Sequence, residues 1–386
     1  MRESLKFPNG FLWGTSTSAY QIEGGIENND WLKVYPAGLA CDHYNRYEED
    51  FDLMKKLNQN AYRFSIEWSR IEPEEGKFNK KEIERYFKIS QSLKSRGIEI
   101  MVTLHHFTLP VWLAKIGGFS NIKSIFYFSR FAKKIFLEYQ NSVDFWITFN
   151  EPLIYASKGY LEGAWPPQKK NLILFLKVLK NQIASHKKIY QDFHNTKSNA
   201  KVGIAKNNIY FEPANRKSPL DKFSVFLARY FWNEYFLNRI GNRLDFIGLN
   251  YYFHNKIKFP FLKRNENKVV SDVGWEVYPE GIYYVLKGLR RYNLPIYITE
   301  NGLADEKDKL RTNFIKDHLF WIHKAIQEGV DARGYFHWSL MDNFEWEKGF
   351  DPKFGLVEID YKTLERKPRQ SAFYYAQVCK NNSFIK

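Results

Sequence analysis

The chain is expected to fold as an α/β protein, a (β/α)8 barrel forming a single domain over residues 1–386. Three observations predict it. Eight runs of β-branched and aromatic residues recur along the sequence, helix-like segments separate them, and chemistry-bearing side chains collect at the C-terminal ends of the runs. Strands alternating with helices argue for parallel βαβ units, and eight such units suggest closure into a barrel. The alternative is an open doubly wound sheet. Its phosphate fingerprints are missing, since no GxGxxG follows the first run and no GxxxxGK occurs before a Ser or Thr.

The elements follow in order. Phe11–Ala19 is the first run, with Gln21 just beyond it, and Tyr47, Phe51, Met54 and Leu57 then make an apolar stripe at helical spacing. The second run, Ala61–Trp68, carries Arg63, and a stripe of Ile83, Phe87 and Leu93 follows. The third, Glu99–His106, ends in His105 and His106, before a stripe of Phe131, Ile135 and Tyr139. The fourth, Val143–Glu151, ends in Asn150 and Glu151, and Leu172 to Phe193 reads as one long helix. Lys201–Asn208 is the fifth run, and the sixth, Leu244–Tyr252, ends in Asn250, Tyr251 and Tyr252. The basic stretch from Lys256 to Lys268 reads as a loop. The seventh run, Pro295–Glu300, ends in Glu300, and Phe314, His318, Ile322 and Ile326 form the next stripe. Arg333–Leu340 is the eighth and contains Trp338, ahead of Asp342, Asn343, Glu345 and Trp346. No linker, repeat or low-complexity segment divides the chain.

Barrel enzymes keep their sites at the C-terminal ends of the strands, where these polar residues fall. Glu151 and Glu300 matter most. Each ends a β-branched and aromatic run and precedes a breaker, Pro152 in one case and Asn301-Gly302 in the other. Two carboxylates facing one cleft are what glycoside hydrolysis needs, as an acid with a nucleophile or an acid with a base.

Composition narrows the class. The 44% hydrophobic fraction is that of a globular protein, and no run approaches the ~18 apolar residues of a membrane span. Met1-Arg2-Glu3-Ser4-Leu5-Lys6 leads straight into strand-like sequence without an apolar targeting segment, so a cytoplasmic location is expected. Cys41 and Cys379 lack CxxC spacing and should be free thiols. No HExxH occurs, and no metal or cofactor is expected. Aromatic residues reach 18%, and aromatic faces pack on the C–H face of a pyranose as readily as in a core. The net charge is +15, but basic residues are dispersed among acids, as in Lys80-Lys81-Glu82-Ile83-Glu84-Arg85. Solvated surface lysines are therefore expected, with no nucleic-acid and no membrane partner.

The motifs resemble glycoside hydrolase family one, the β-glucosidase and β-galactosidase family, essentially from end to end. They are Phe11-Leu12-Trp13-Gly14, Ser18-Ala19-Tyr20-Gln21-Ile22-Glu23-Gly24, Tyr62-Arg63-Phe64-Ser65-Ile66-Glu67-Trp68, Leu104-His105-His106, Thr148-Phe149-Asn150-Glu151-Pro152, Asn250-Tyr251-Tyr252, Thr299-Glu300-Asn301-Gly302, and Trp338 through Asn343-Phe344-Glu345-Trp346. The resemblance implies a TIM-barrel, retaining exo-β-glycosidase acting on small β-glycosides without a cofactor. Non-reducing terminal β-D-glucosides would be substrates, with β-galactosides and β-fucosides beside them. Glu151 would be the acid/base and Glu300 the nucleophile. Arg63 would lower the pKa of Glu300 and Tyr252 would donate to it, while Glu151 needs burial and a nearby anion to hold a proton. Asn150 would bond the sugar 2-hydroxyl, and Asn250 belongs with this supporting group. Gln21, His106, Glu345 and Trp346 would hold the other hydroxyls, Trp338 would be the stacking floor, and Phe354 would close one side. A retained Glu345 repels phosphate, which implies unphosphorylated sugars.

One tension is local. Adjacent strand residues point oppositely, yet Asn150 and Glu151 should share a site, so a bulge or the strand's end is expected there. The chain also departs from the family. Phe107, in His105-His106-Phe107-Thr108-Leu109-Pro110, stands where relatives carry a Trp whose N–H bonds a sugar hydroxyl, and His337 precedes Trp338. The chain is shorter than many relatives, which implies trimmed loops and a more open entrance. Other residues have plainer readings: His105 as structural, His43 as packing by the first helix, Asp342 and Asn343 as bracing the rim, and Trp165 as either entrance wall or loop packing. The second functional reading is the same barrel working mainly as a transglycosylase. A non-catalytic sugar-binding protein would not need both carboxylates.

Overall fold

In a computed structural model, which describes residues 4–196 and 198–385, the eight runs form eight parallel strands closed into a barrel. They are β1 (Leu12–Ser16), β2 (Ala61–Ser65), β3 (Glu99–His105), β4 (Phe145–Asn150), β5 (Lys201–Asn207), β6 (Phe246–Asn250), β7 (Ile296–Asn301) and β8 (Ala332–Trp338). Each pairs with its neighbours in sequence, and β8 pairs with β1. Several runs end earlier than the sequence suggests, because short helices begin there. After β1, Ser18 precedes the short helix Ala19–Ile22. After β2, the Glu67 carboxylate accepts from the Ser69 N–H and opens the helix Trp68–Ile71.

The outer layer comprises α1 (His43–Lys56), α2 (Lys80–Ser95), α3 (Ser124–Tyr139), α4 (Leu172–His194), α5 (Pro219–Ala228), α6 (Glu280–Leu289), α7 (Arg311–Gln327) and α8 (Gln370–Asn381). Local chemistry starts them. Asn79 Oδ1 accepts from Lys81 and Glu82 at the head of α2, Asn171 Oδ1 from Leu174 at α4, and Ser218 Oγ from Asp221 at α5, where Pro219 fills the first position. The stripe of α2 is Ile83, Tyr86, Ile89 and Leu93. Phe87, expected within it, is 39% exposed; at 3.6 residues per turn it lies roughly 100° around from the middle of the buried arc.

The main core lies between barrel and helices. A second, separate cluster takes one residue from each of seven strands and fills the barrel: Ala61, Met101, Ile147, Ala205, Phe246, Tyr297 and Phe336. Gly203 makes room for it, since a Cβ there would meet the Phe246 ring at 2.8 Å.

The stretch from Lys256 to Lys268, expected as a loop, contains a hairpin. Strands His254–Lys258 and Leu262–Lys263 pair antiparallel, and the first also lies parallel to Tyr210–Pro213. Ile257 is buried while Lys258 is exposed, the alternation of a half-buried strand, which a reading by charge obscures. Ser4–Lys6 pairs antiparallel with Ser383–Ile385; Met1, Arg2 and Glu3 of the N-terminal stretch lie outside the described residues. Cys41 and Cys379 are free thiols. Among the described residues no helix is long and apolar enough to cross a membrane.

Candidate active site

The polar residues at the strand ends meet at a cavity of about 350 Å³ at the C-terminal mouth of the barrel, the size of a small-ligand site. Glu300, on β7, is held on both oxygens. Its Oε1 accepts from Arg63 Nη1 at 2.6 Å and its Oε2 from the Tyr252 hydroxyl at 2.8 Å. Arg63 comes from β2 and is fully buried. It also donates to Thr103 Oγ1, the Thr299 carbonyl and Asn150 Oδ1.

Glu151 resolves the expected tension at the end of β4. The strand stops at Asn150, and Glu151 takes a left-handed conformation (φ 43°, ψ 61°) before Pro152 opens the next helix. That turn, with a register shift between Ile147 and Asn150, brings both side chains to one side. Asn250 Nδ2 donates to Asn150 Oδ1 at 3.1 Å and to Glu151 Oε1 at 2.8 Å. Its own Oδ1 accepts from Thr299 Oγ1, which fixes the amide's orientation.

The two carboxylates differ electrostatically. Burial raises Glu151, the Glu300 charge raises it further, and the Asn250 and Asn207 amides with the Lys206 charge only partly oppose this, so it reaches about 7. Burial also raises Glu300, against the Arg63 charge and the Tyr252 and Arg63 hydrogen bonds. Of the two, only Glu300 touches a guanidinium, so its ionised form is the better stabilised. Burial likewise raises Glu345, to about 8, helped by the charges of Glu300, Glu347 and Glu151.

His106 stacks near-parallel to Trp338 and Trp346, ring centres 5.9 and 6.0 Å away. Its tautomer follows from its neighbours. Asn150 Oδ1 accepts from Arg63 and Asn250, so Asn150 Nδ2 is the atom that donates to His106 Nε2 at 3.2 Å. Burial and Arg63 keep the ring neutral, so Nδ1 carries the proton and finds no acceptor among the described residues.

Of the expected site residues, Glu151, Glu300, His106, Asn150, Tyr252, Trp338, Glu345, Trp346 and Phe354 line the cavity. Arg63, Asn250 and Gln21 are fully buried behind it. Gln21 Nε2 donates to Asn343 Oδ1, the Phe344 carbonyl and Glu345 Oε2, so the protein uses its donors. Phe107 lines the wall between Trp165 and Trp346, its ring 4.8 and 5.1 Å from theirs. Trp165, left open between two readings, lines the cavity, and its indole N–H bonds Glu347. His105 is packed among Phe119, Phe149 and Tyr155. His43 pairs with Asp50, Asp342 with Arg369, and Asn343 with Ser339.

Sequence reasoning missed several wall residues. Asn207, whose Nδ2 donates to Glu151 Oε1 at 3.3 Å, ends β5, so the strand-end rule could have found it. The mouth is lined by Ile154, Lys158, Phe253, Trp275, Glu347 and Lys348, and Trp275 sits in a stretch with no periodic signal. Among the described residues no group of three or more His, Cys, Asp or Glu is arranged to hold a metal ion.

Comparison with known proteins agrees with this geometry. The family model described as "Glycosyl hydrolase family 1" matches residues 3–242 and 233–384. Beta-glucosidase A of Thermotoga maritima is 37% identical over 98% of this chain and 98% of its own. That alignment runs over 440 positions, more than the 386 residues here, so this chain lacks segments the relative has. A beta-glycosidase from Pyrococcus horikoshii superposes with a TM-score of 0.94 at 41% identity, over 100% of this chain and 97% of that one. A beta-glucosidase from Thermotoga maritima in complex with glucoimidazole gives 0.91 at 36% identity, over 98% and 99%.

Proposed function

This chain belongs to glycosyl hydrolase family 1 and is a glycoside hydrolase, and on that premise we propose that it is a retaining exo-β-glycosidase, one catalytic domain removing terminal β-D-glucosyl units from small glycosides. β-Galactosides and β-fucosides are further substrates. The observation that carries this reading is the unequal setting of the two carboxylates. Glu300 touches a guanidinium and a phenol, whereas Glu151 is buried among neutral amides.

The steps follow from that asymmetry. Ionised Glu300 attacks the anomeric carbon, and Glu151 protonates the departing glycosidic oxygen. The bond to the leaving group breaks and a glycosyl ester forms on Glu300. That ester is neutral, so one of the influences that raised Glu151 disappears, and Glu151 is left ionised as a base. It takes a proton from water, whose oxygen attacks the anomeric carbon and frees Glu300. Two inversions return the β-anomer.

Asn150 Nδ2 faces the 2-hydroxyl, His106 Nδ1–H and Glu345 meet other hydroxyls, and Trp338 gives the ring a stacking face. Gln21 acts through Glu345, whose carboxyl it positions. An acceptor alcohol can replace water in the second half, which is the transglycosylase reading; acceptor competition during turnover measures its share.

A slow 2-fluoro-glucosyl fluoride should label Glu300, and a panel of aryl β-glycosides followed by NMR should release the β-anomer first. Glu300→Gln should abolish turnover with the fold intact. A label on another residue, or α-anomer released first, would contradict the assignment.

A further inference from the structure

Some of the apolar residues left on the surface lie on the rim that carries the active site. The helix α4 follows β4, so it starts at the C-terminal end of the barrel, a few residues after Trp165 of the cavity wall. Its first turns expose Leu172 at 60%, Ile173 at 65% and Leu176 at 52%. From Gly163 to Gln191 the sequence contains no acidic residue. Lys169, Lys170, Lys177 and Lys180 are exposed there, with no ion pair among the described residues.

The neighbouring sector repeats the combination. Leu220, Phe223 and Phe226 on α5, and Phe259, Phe261 and Leu262 at the hairpin turn, are each about half exposed. The two elements adjoin, since the Phe259 N–H donates to Asp221 Oδ1 at 3.1 Å. Lys217, Lys222, Lys263 and Arg264 flank them, exposed and without ion pairs among the described residues.

We propose that this rim docks on an anionic lipid surface, with Leu172, Ile173 and Leu176 entering the headgroup–acyl boundary and the flanking lysines meeting lipid phosphates. Apolar side chains ringed by unpaired cations bind an anionic bilayer through both terms at once. Charge selects this occupant over the others. A second copy would bring two lysine rims together in a chain of net charge +15. A nucleic acid would meet the lysines but leave the aliphatic side chains without a partner. The contact is peripheral; the sequence expectation of no membrane partner rested on lysines dispersed along the chain, whereas here a subset of basic side chains without ion pairs among the described residues flanks exposed apolar ones.

The test is co-sedimentation of the whole chain with vesicles of phosphatidylcholine, with and without phosphatidylglycerol. The wild type should sediment with the anionic vesicles and be released by salt. Lys169→Glu with Lys170→Glu should weaken binding by at least about tenfold, since each lysine near an anionic surface contributes about fivefold. Leu172→Ser, Ile173→Ser and Leu176→Ser together should weaken it at any salt. All of these side chains are exposed, so both variants should hydrolyse a soluble aryl β-glucoside as the wild type does, which separates this proposal from the catalytic one. Wild type that stays in solution beside anionic vesicles overturns it. So do variants that bind unchanged, or a wild-type dimer that the serine variant dissolves.

Discussion

If the charge on Glu300 helps hold the proton on Glu151, esterifying Glu300 must lower the pKa of Glu151. The perturbation is the trapped 2-fluoro-glucosyl enzyme, in which Glu300 is neutral while Arg63 and Asn250 remain. In the free enzyme Glu151 stands at about 7, against an ordinary 4.5, with burial the largest cause and the Glu300 charge the next. Burial persists in the intermediate, so only the second contribution is lost and the pKa of Glu151 falls below about 7, each pH unit of the fall being worth about 1.4 kcal/mol. Two pH profiles read the two states. The kcat/KM for an unactivated β-glucoside needs Glu151 protonated, so its alkaline limb should fall with a midpoint near 7. Reactivation of the trapped enzyme needs Glu151 ionised, so its rate should rise with pH and level off, with a midpoint below that of the first profile. Coincident midpoints would refute the idea that the two carboxylates communicate by charge.

Three other outcomes are expected. Glu151→Ala should lose roughly 10²–10⁴-fold on disaccharides while still forming glycosyl-enzyme rapidly from activated aryl glycosides, seen as a burst. Equal losses for good and poor leaving groups would remove Glu151 from the acid role. Phe107→Trp should restore an N–H at the wall, worth about 0.5–1.5 kcal/mol to one hydroxyl, and so spread the kcat/KM values for aryl β-glucoside, β-galactoside and β-fucoside; unchanged ratios would show that this position does not select the sugar. The carboxyl of Glu345 is raised in the folded protein from 4.5 to about 8. The folded state therefore binds that proton more tightly, and the resulting stability is full below 4.5 and lost as pH rises to about 8. Glu345→Gln should raise Tm more at about pH 9 than at about pH 5, and a gain independent of pH would mean that ionisation of Glu345 costs the fold nothing.

The barrel was legible because its strands are continuous β-branched and aromatic runs, buried on both faces, with helical stripes between them. Glu151 and Glu300 were legible because each stands where such a run meets a breaker. The rest was hidden for identifiable reasons. Gln21 lies just beyond β1, yet its donors are spent on Asn343 and Glu345, a pairing 322 residues apart for the first that periodicity does not encode. Asn207 was passed over because the fifth run ends in two adjacent amides, Asn207 and Asn208, with no carboxylate or ring beside them to mark a site. The hairpin near Lys258 read as a loop because its lysines outweigh the alternation that buries Ile257. Phe87 shows the limit of counting apolar residues at helical spacing, for one place around the turn separates core from solvent.

Arg63 carries a consequence for how the protein matures. Its guanidinium reaches from β2 to Glu300 on β7, 237 residues later in the chain, and to Asn150 on β4. A nascent or partly assembled barrel in which the last strands have not docked would leave Glu300 without its cation and Tyr252. Its carboxyl would lack the setting on which its proposed role as nucleophile rests. Catalytic competence is thus tied to the slowest class of contact a chain must make, one distant in sequence. The enzyme should be silent until ring closure, and a refolding time course followed by hydrolysis should lag behind one followed by helix content.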